Sequence, residues 1–579
     1  MKKTAAWLVR YALEQIGVTH TFGIPGVHNT EIYDELNNSQ TITPTLVMHE
    51  AHAGFMADAI SRTTNTIGTM VIVPAAGVTH AASGIAEAYL DGIPMLVISG
   101  GIRSDSKFEY QLHQLDQQKL VQGFTKAVFK VESHQEVVET IYKAYNIAKS
   151  GEPGPVFVEI PVNLQLDKGT ISSLPHYQAP ISPALGKRTL QKLEQAAQML
   201  MEADNPAIFA GWGAVHTHKQ LQYVAEKLTA PVTTTLQGIS AFSAAHPLHA
   251  GFCFGPAAAP AAKYVFDHAD CVLAIGTRFA EIATGSFGGK LPEKLIHIDI
   301  NPEVFNRNFV AELTIEGDSK QVLEALLIAL QSYTERNDAS NIHHTLATLK
   351  QQYRDCWYQH DSHNRVNPIL YFDELRKQLN DDAHIVVDDG NHTFLTAELM
   401  SIHQPYGFIS PTDFNCMGYA TPAAIATKMA YPSREVVAIV GDGAFMMTAM
   451  ELAMASQNHV GCIICVFNDG ELSQISQAQQ IPYNRKTCTT LPPTKLQGLA
   501  IATGAEYVRI ETNNDIGKGI YQARELAAEN KPVIVDINID YSKATAFTQG
   551  IVKTNLKRMP LPTKARMIGR ALYRKVKDG

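Results

Sequence analysis

The sequence predicts an α/β protein of three domains, each built on a parallel β-sheet flanked by helices. Short apolar runs of strand length alternate with helical stretches through nearly the whole chain, and most runs end in Gly, Pro, Asn or Asp. Continuous apolar strands separated by helices are typical of parallel sheets that are covered on both faces. A chain of 579 residues is long enough for about three such domains.

Ten apolar runs and two linkers define the predicted organisation. The runs predicted as strands span residues 69–73, 95–99, 156–160, 207–210, 271–275, 295–300, 385–387, 436–440, 463–467 and 533–537. The linker at 168–187 is rich in proline, and the linker at 334–366 is polar and helix-prone. These linkers divide the chain into three units and a basic tail, at residues 1–170, 188–333, 365–545 and 546–579.

Composition and charge exclude several classes of protein. Apolar residues make up 45% of the chain and charged residues 18%, which argues for packed cores and against long disordered regions. The net charge of −8 is unevenly placed, because residues 551–579 hold nine Lys and Arg against one Asp. The rest of the chain is strongly acidic, so we expect no nucleic-acid partner. No apolar run is long enough to span a bilayer.

Cysteine usage and the N-terminal residues indicate a cytoplasmic protein. The seven cysteines are scattered and odd in number, which does not suggest a disulfide framework. Cys462 and Cys465 form a C-x-x-C, but inside an apolar run, so a buried strand is favoured over a metal site. Residues 1–3 (Met-Lys-Lys) imitate the start of a signal peptide, yet Arg10 and Glu14 interrupt the stretch that follows.

The strongest local signal is a pair of polar turns at two strand ends. Gly441-Asp442-Gly443 follows the strand predicted at 436–440, and Asn468-Asp469-Gly470 follows the next one. Because parallel strands end at one edge of a sheet, these turns can offer oxygen ligands to Mg²⁺. The helix start at Gly443–Ala444 can offer backbone N–H groups to a phosphate. Gly-Asp-Gly alone is equally well a tight turn, but the paired spacing favours a site.

This spacing resembles the metal–diphosphate motif of thiamine diphosphate (ThDP) enzymes, and the wider chain is similar to the catalytic subunit of acetohydroxyacid (acetolactate) synthase. The similarity covers roughly residues 3–545. It implies ThDP and Mg²⁺ as cofactors, pyrimidine-binding, central and diphosphate-binding domains in that order, and a homodimer or homotetramer with active sites shared between subunits. The other supporting segments are 22–26 (FGIPG), 49–53 (HEAHA), 84–94 (GIAEAYLDGIP), 276–279 (GTRF), 297–300 (HIDI) and 417–424 (MGYATPAA).

The resemblance implies the metal ligands residue by residue. Asp442 matches the metal-ligating aspartate. The second ligand of the family is the last Asn of an Asn-Asn pair, which aligns with Asp469, and Asn468 is the alternative if the turn is shifted by one residue. A backbone carbonyl near Glu471 completes the protein ligands.

The resemblance also implies the residues around the cofactor rings. Glu50 matches the glutamate that hydrogen-bonds N1′ of the aminopyrimidine, where protonation favours the tautomer that takes the C2 proton. Without the resemblance, His49-Glu50 is only a polar helix start. Met417 matches the bulky apolar residue beneath the bent cofactor, with plain core packing as the alternative, and the backbone carbonyl of Asn415 would accept from the 4′-amino group.

The remaining cofactor contacts lie around the diphosphate. Gly390-Asn391-His392-Thr393 departs from the family pattern at Asn391 and Thr393, and both still offer hydrogen bonds. The full predicted set of cofactor-binding residues is Gly26, Gly390, Asn391, His392, Thr393, Asn415, Met417, Gly441, Asp442, Gly443, Ala444, Gln474 and Ile475.

Two departures bear on the reaction. Related keto-acid decarboxylases carry an Asp after the Pro-Gly turn and a His-His pair, whereas this chain has Val27 and His113-Gln114. The resemblance therefore favours a carboligase that joins the acyl unit of a 2-keto acid to a carbonyl acceptor, with Glu50, His113 and Gln114 as catalytic candidates. The alternatives are a 2-keto acid or acyl-CoA decarboxylase or lyase, and a non-catalytic relative. His113 can also be an ordinary loop residue.

Flavin binding stays open at this stage. Gly211-Trp212-Gly213, the Thr235-Leu236 turn and Arg278-Phe279 match parts of the flavin adenine dinucleotide (FAD) site of the biosynthetic relatives. The acids and the second Arg of that site are missing, because the run continues as Ala280-Glu281-Ile282. This departure slightly favours a nucleotide cleft without flavin.

The basic tail is predicted to form an amphipathic helix. Thr563 can cap a helix at 564–577 behind Pro560 and Pro562. Three roles are compatible with it, namely packing on the acidic body, closing over the site, and binding a membrane surface. The helix lacks Trp and Phe anchors, which favours the first two roles.

Overall fold

The computed structural model describes residues 1–181, 183–334 and 339–577. Positions 182 and 335–338, within the two predicted linkers, and positions 578–579, at the end of the tail, lie outside the described residues. The strands of the described ranges are β1 Lys2–Thr4, β2 His20–Gly23, β3 Thr43–Leu46, β4 Gly68–Ile72, β5 Met95–Gly101, β6 Ala127–Lys130, β7 Pro155–Pro161, β8 Lys168–Thr170, β9 Pro206–Ala210, β10 Val232–Thr234, β11 His249–Phe252, β12 Cys271–Ile275, β13 Lys294–Asp299, β14 Leu313–Glu316, β15 His384–Val387, β16 Phe408–Ile409, β17 Val436–Gly441, β18 Ile463–Asn468, β19 Glu506–Ile510 and β20 Val533–Asn538.

Helices connect these strands. In the same ranges they are α1 Ala5–Gln15, α2 Thr30–Asn37, α3 Glu50–Thr63, α4 Ala76–Asp91, α5 Gln117–Val121, α6 Val137–Lys149, α7 Val162–Leu166, α8 Lys187–Glu202, α9 His218–Leu228, α10 Pro260–His268, α11 Ser319–Leu330, α12 Ala339–Tyr358, α13 Pro368–Gln378, α14 Asn391–Leu399, α15 Ala420–Ala430, α16 Asp442–Thr448, α17 Glu451–Gln457, α18 Ser473–Tyr483, α19 Leu496–Thr503, α20 Ile516–Ala528, α21 Ala546–Arg558 and α22 Leu561–Lys577. The helical propensity of the second linker is confirmed by α12.

Three parallel sheets, each of six strands within the described ranges, form the frame of the molecule. The first has the order β3-β2-β4-β5-β7-β6, the second β11-β10-β9-β12-β13-β14, and the third β16-β15-β17-β18-β20-β19. Counted within each unit, the first and third sheets have the same strand order. The central sheet instead has the order 3-2-1-4-5-6, which is that of doubly wound nucleotide-binding folds. The predicted fold class is confirmed.

All ten predicted runs are strands, and the strands that were missed are short or polar. β16 has only two residues, and β19 (Glu506–Ile510) alternates charged and buried positions. Such strands present no continuous apolar run, so tertiary pairing rather than local pattern determines them. The unit boundaries at 170, 188, 333 and 365 stay predictions.

The first and third units pack together through helices α3, α4 and α15. At the centre of this contact the guanidinium of Arg62 is fully buried, and it donates to the carboxylates of Asp58 at 2.6 Å and Asp91 at 2.7 Å. Asp91 also accepts from the backbone N–H groups of Thr412 and Asp413, at 3.1 and 2.8 Å. The chain segment that leads to Met417 is therefore anchored on the first unit.

The tail forms helix α22, which begins earlier than predicted. The helix starts at Leu561, so Thr563 lies within the first turn rather than at the cap, and Pro562 occupies a position where its missing N–H is not needed. The helix packs against α18. Met567 and Ala571 are half-buried, whereas Ile568 and Leu572 are exposed. Among the described residues, no helix combines the length and apolar character needed to cross a membrane.

Candidate active site

The two polar turns predicted to meet at the sheet edge do meet. Asp442 follows β17 as the first residue of α16, and its carboxylate accepts from the N–H groups of Gly443 and Gly470, each at 2.8 Å. Gly470 belongs to the turn after β18, so one carboxylate joins the ends of two adjacent parallel strands. Burial raises the pKa of Asp442 to about 6, and the negative charge of Asp469 acts in the same direction.

The second turn offers Asp469 rather than Asn468 to the same space. The carboxylate of Asp469 accepts from the hydroxyl of Ser473 and the N–H of Glu471, and burial raises its pKa. The amide of Asn468 instead donates to Asp536 on β20 at 3.0 Å. The carboxylate of Glu471 is paired with Lys486 at 2.7 Å, which leaves its backbone carbonyl as the group available to a ligand.

The chemistry of this pair of carboxylates fits a divalent cation. Two carboxyl groups with raised pKa values share a buried corner, and a bound cation would stabilise their charged forms. In the described part of the chain no three His, Cys, Asp or Glu side chains form a metal-binding group. A cation here would therefore need backbone and ligand oxygens beside Asp442 and Asp469.

His392 lies against the glycine turns at Gly390 and Gly441. A Cβ atom added at Gly390 (φ +150°) would come within 2.5 Å of its ring, and one added at Gly441 within 3.0 Å. Burial lowers the pKa of His392 to about 3, so its imidazole is neutral. Its Nε2 has no hydrogen-bond partner among the residues described. A buried polar atom without a partner fits a polar ligand at this position.

Helix α18 closes the same side of the site. The amide of Asn391 donates to Gln477 on this helix at 3.2 Å, and Thr393 caps its own turn by accepting from the N–H of Gly390 at 3.0 Å. Gln474 Oε1 is buried without a partner in the described ranges, and the side chain of Ile475 is half exposed.

The turn carrying Met417 is held against the Gly-Asp-Gly helix. Asn415 has a left-handed backbone (φ +63°), and a Cβ at Gly418 would lie 2.9 Å from Thr448 on α16. The carboxylate of Asp388 accepts from the N–H groups of Gly418 at 2.8 Å and Ala420 at 2.7 Å. The structure thus brings Met417 and the turns at Asp442 to one place in the third unit.

Glu50 belongs to the other half of the site. It is the first residue of α3, whose N-terminus is capped by the side chain of His49, and it is 6% exposed. Its carboxylate lies 3.1 Å from Nδ1 of His80. Gly26, in the neighbouring turn, is fixed by a 2.7 Å hydrogen bond from its N–H to the side chain of Asn29.

The sequence reasoning missed His28, which pairs with His113. The two rings are 5.1 Å apart, and the Nδ1 atoms of both are buried without partners in the described chain. Burial lowers the pKa of His28, and the charge of His113 lowers it further. Gln114 accepts from the N–H of Gln111 at 2.8 Å. The available signal was a histidine two residues beyond the Pro-Gly turn.

The sequence reasoning also missed Tyr541 and Asp389. The hydroxyl of Tyr541 is buried near Asp442 and Asp469 and has no partner within the described residues. Asp389, directly before Gly390, accepts from the side-chain amide of Asn415 at 2.8 Å. Tyr541 follows the last strand of its sheet with no motif around it, whereas Asp389 is a second acid beside the predicted diphosphate loop.

The central unit contributes a separate cleft of about 480 Å³ at the carboxyl ends of β9, β12 and β13. Arg278 lines it, and its guanidinium is paired with Glu152 at 2.7 Å and Asp413 at 2.5 Å. Asp299 and Asp318 also face the cleft, and burial raises the pKa of Asp299 to about 7.

Three family models match the chain in the order of its three sheets. "Thiamine pyrophosphate enzyme, N-terminal TPP binding domain" matches residues 3–120, "central domain" of the same family matches 193–326, and "C-terminal TPP binding domain" matches 388–537. Thiamine pyrophosphate is another name for ThDP.

Similar proteins extend over nearly the whole chain. A probable acetolactate synthase large subunit of Methanocaldococcus jannaschii is 30% identical over 92% of this chain and 91% of its own length. The acetolactate synthase isozyme 3 large subunit of Escherichia coli K12 is 29% identical over 94% and 96%. The acetolactate synthase large subunit of Corynebacterium glutamicum is 29% identical over 92% and 86%.

Proposed function

The chain belongs to the thiamine pyrophosphate enzyme family, and we propose that it is a ThDP- and Mg²⁺-dependent carboligase of the acetolactate synthase type. It decarboxylates a 2-keto acid such as pyruvate and joins the acyl unit to a carbonyl acceptor. The observation that carries this proposal is the carboxylate of Asp442, which accepts hydrogen bonds from the turns after two adjacent strands. That arrangement lies in the unit that matches the C-terminal TPP binding domain.

Three groups of the third unit hold Mg²⁺ in this proposal. They are the carboxylates of Asp442 and Asp469 and the backbone carbonyl of Glu471. The hydrogen bond from Asn468 to Asp536 supports Asp469 over Asn468 as the second side-chain ligand. The cation would reduce the repulsion between these two carboxylates and an adjacent diphosphate.

In this proposal the diphosphate is bound by N–H donors of the loops and helix starts of the third unit. The N–H of Ala444, in the first turn of α16, and the loop Gly390–Asn391 face it in this proposal, while the N–H of Gly443 is held by the carboxylate of Asp442. On this side of the site the amide of Gln474 can donate through its nitrogen, whereas the neutral imidazole of His392 packs against Gly390 and Gly441. The rest of this side of the site is formed by Thr393, which hydrogen-bonds within its own loop, and by Gly441 and Ile475, which contribute shape.

The aminopyrimidine is held between the two halves. Met417 supports the rings from below, the carbonyl of Asn415 accepts from the 4′-amino group, and Gly26 leaves room for the pyrimidine edge. Glu50 holds a proton at N1′, a role that its buried carboxylate at the start of α3 supports. When bound, ThDP would supply the carbon nucleophile and accept the electron pair that is left on the substrate carbon when CO₂ departs.

Carboligation is favoured because Val27, which is 69% exposed, occupies the place of the proton-delivering Asp of decarboxylases. His113 and Gln114 then orient the acceptor carbonyl. One observation favours a second candidate function, a 2-keto acid or acyl-CoA decarboxylase or lyase. The neighbouring rings of His28 and His113 offer two imidazoles that can deliver a proton to the product carbon.

Product analysis separates the two candidates. The protein loaded with ThDP and Mg²⁺ is incubated with pyruvate alone and with pyruvate plus a second keto acid or aldehyde, and products are identified by mass spectrometry. A carboligase yields acetolactate and mixed hydroxyketo products. Acetaldehyde as the sole product from every mixture would establish the decarboxylase instead.

The protein assembles as a homodimer or homotetramer with shared sites in this proposal. Met446, Met447 and Met450, on and just after the Gly-Asp-Gly helix, are 43 to 60% exposed. Leu46 and Met48, just before Glu50, are similarly exposed. Apolar side chains concentrated beside both halves of the site support burial against a second copy. The seven cysteines are all free thiols, which supports a cytoplasmic location.

The central cleft carries no FAD in this proposal. FAD brings two phosphate charges, whereas the lining cations are Arg278, already in two ion pairs, and Lys149. Glu152, Asp299 and Asp413 make the cleft electrically unfavourable for a diphosphate. The absorption spectrum of the purified protein, and a titration with FAD, test this directly.

A further inference from the structure

Asn415 stands in a backbone conformation that needs support. Its φ of +63° is left-handed, a region that glycine enters freely and asparagine tolerates. The side-chain amide of Asn415 donates to a carboxylate oxygen of Asp389 at 2.8 Å. This hydrogen bond ties the turn before Met417 to the loop that carries Gly390.

Asp389 and Asp388 hold the two sides of this turn. Asp388 accepts from the N–H groups of Gly418 and Ala420, so the segment from Asn415 to Ala420 is bound at both ends by consecutive carboxylates. Burial raises the pKa of Asp389 to about 6, and the hydrogen bond from Asn415 partly offsets this. No Lys or Arg of the described chain forms an ion pair with Asp389. A buried acid without a cation is costly, which indicates a specific role for this one.

We propose that Asp389 is a positioning residue for the cofactor. By accepting from the amide of Asn415, its carboxylate fixes the left-handed backbone of Asn415, and thereby the direction of the carbonyl that receives the 4′-amino group of ThDP. The inference rests on the proposed function, because it assigns this residue a role toward ThDP.

The geometry separates this role from a simple charge effect. Asp389 directly precedes Gly390, so its negative charge opposes a diphosphate at that loop and would weaken binding. A positioning role predicts the opposite sign, since losing the acceptor would release Asn415 from its conformation. The two ideas therefore predict opposite changes in affinity when the carboxylate is removed.

A double-mutant cycle tests the proposal. Wild type, Asp389→Ala, Asn415→Gly and the double variant are titrated with ThDP in the presence of Mg²⁺, and the dissociation constant is measured by calorimetry. Glycine adopts the left-handed backbone without a side-chain bond. Asp389→Ala should weaken binding about tenfold when Asn415 is present and less than about twofold in the Asn415→Gly background. The prediction concerns the ratio between these two effects of Asp389→Ala, so it does not depend on how Asn415→Gly alone changes the affinity.

Two further measurements complete the test. Asp389→Asn keeps an acceptor and removes the charge, so its ThDP affinity should stay within about threefold of wild type. The exchange rate of the C2 proton of bound ThDP should fall in Asp389→Ala, while the melting temperature of the cofactor-free protein should not.

The following results would overturn the proposal. An equal effect of Asp389→Ala in both backgrounds would show that its contact with Asn415 does not matter, and tighter binding would show that its charge does. If Asp389→Ala without cofactor melts at a clearly lower temperature than wild type, then Asp389 only stabilises the fold. Failure of the wild type to bind ThDP would overturn the proposed function as well, which distinguishes that case from the others.

Discussion

The first and third units are built on the same strand order but carry different chemistry. In both sheets the order within the unit is 2-1-3-4-6-5, and in both the candidate site residues follow the carboxyl ends of strands. At that edge the third unit places the carboxylates of Asp388, Asp442 and Asp469. The first unit places Glu50 among imidazoles, with His28 paired to His113.

This difference shows what topology determines and what it leaves to the residues. A parallel sheet fixes the edge at which a ligand is bound, because its strands end there and helices begin. The residue types at that edge then divide the work. Acidic turns suit a cation with a diphosphate, and a carboxylate among histidines suits the movement of protons.

The largest expected effect comes from replacing Glu50 in the first unit. Glu50→Gln should bind ThDP nearly as well as wild type, yet lower turnover by about 10²- to 10⁴-fold, because an amide of similar size cannot hold the proton at N1′. Steady-state rates and the C2-proton exchange of bound ThDP measure this. Exchange at the wild-type rate in the variant would remove Glu50 from its proposed role.

Mixing two inactive variants tests whether one site uses both halves from different subunits. Glu50→Gln alters the part of the site in the first unit, and Asp442→Ala alters the part in the third unit. If sites are shared across a dimer, half of the molecules in an exchanged equal mixture are hybrids with one intact site, so about a quarter of wild-type activity should return. Native mass spectrometry should verify hybrid formation. Hybrids without activity would show that each chain completes its own site.

The third unit was the more predictable of the two from sequence. Asp442 and Gly470 could be expected to meet because both follow apolar strands of a parallel sheet, and the structure joins them by a hydrogen bond. Glu50 could be found only through the family resemblance, since a glutamate at a helix start is common. His28 and Asp389 act through a partner distant in sequence, and no local periodicity specifies such side-chain contacts.

The pH dependence of stability should have opposite signs at two buried groups, Glu398 in the third unit and His28 in the first. In the third unit, burial raises the pKa of Glu398 from 4.5 to about 7, although the hydroxyl of Tyr353 and two N–H groups donate to it. The folded form then binds more protons than the unfolded form, so stability is lost as pH rises from 4.5 toward 7. In the first unit, burial lowers the pKa of His28, so stability there is lost as pH falls below 6.5.

Glu398→Gln isolates the first of these effects. Between pH 4.5 and 7, the free energy of unfolding should fall by about 3 kcal/mol less in the variant than in wild type. The reason is that the amide keeps an acceptor oxygen and does not titrate. Calorimetric melting at several pH values measures it. Glu511→Gln is the matched control, since Glu511 is an exposed partner of Arg509. An unchanged slope in Glu398→Gln would assign the pH dependence to other groups.

The smallest expected effect concerns the tail, which docks on helix α18 of the third unit. The guanidinium of Arg570 donates to the carbonyl of Pro482 at 3.1 Å and lies 4.2 Å from the ring of Tyr483, and Arg574 donates to the carbonyl of Tyr483 at 2.9 Å. Both carbonyls end α18, where cations are favourable because the helix dipole is negative. The contact therefore joins α22 to the helix that begins beside Asp469.

Replacing both arginines by methionine should weaken this docking by about 1–2 kcal/mol without unfolding the enzyme. Proteolysis should then remove α22 faster, and the ThDP affinity should fall by a few-fold at most, because α18 loses support on the side away from its first turn. Arg566→Met is the matched control, since Arg566 is exposed on the same helix. Binding to anionic vesicles should be weak in all forms, because the docked arginines face the protein and the outward side lacks Trp and Phe. Equal sensitivity of the control would show that the contacts of Arg570 and Arg574 with α18 do not hold the helix. Vesicle binding that depends on these two arginines would show that the helix is a membrane element rather than a support for α18.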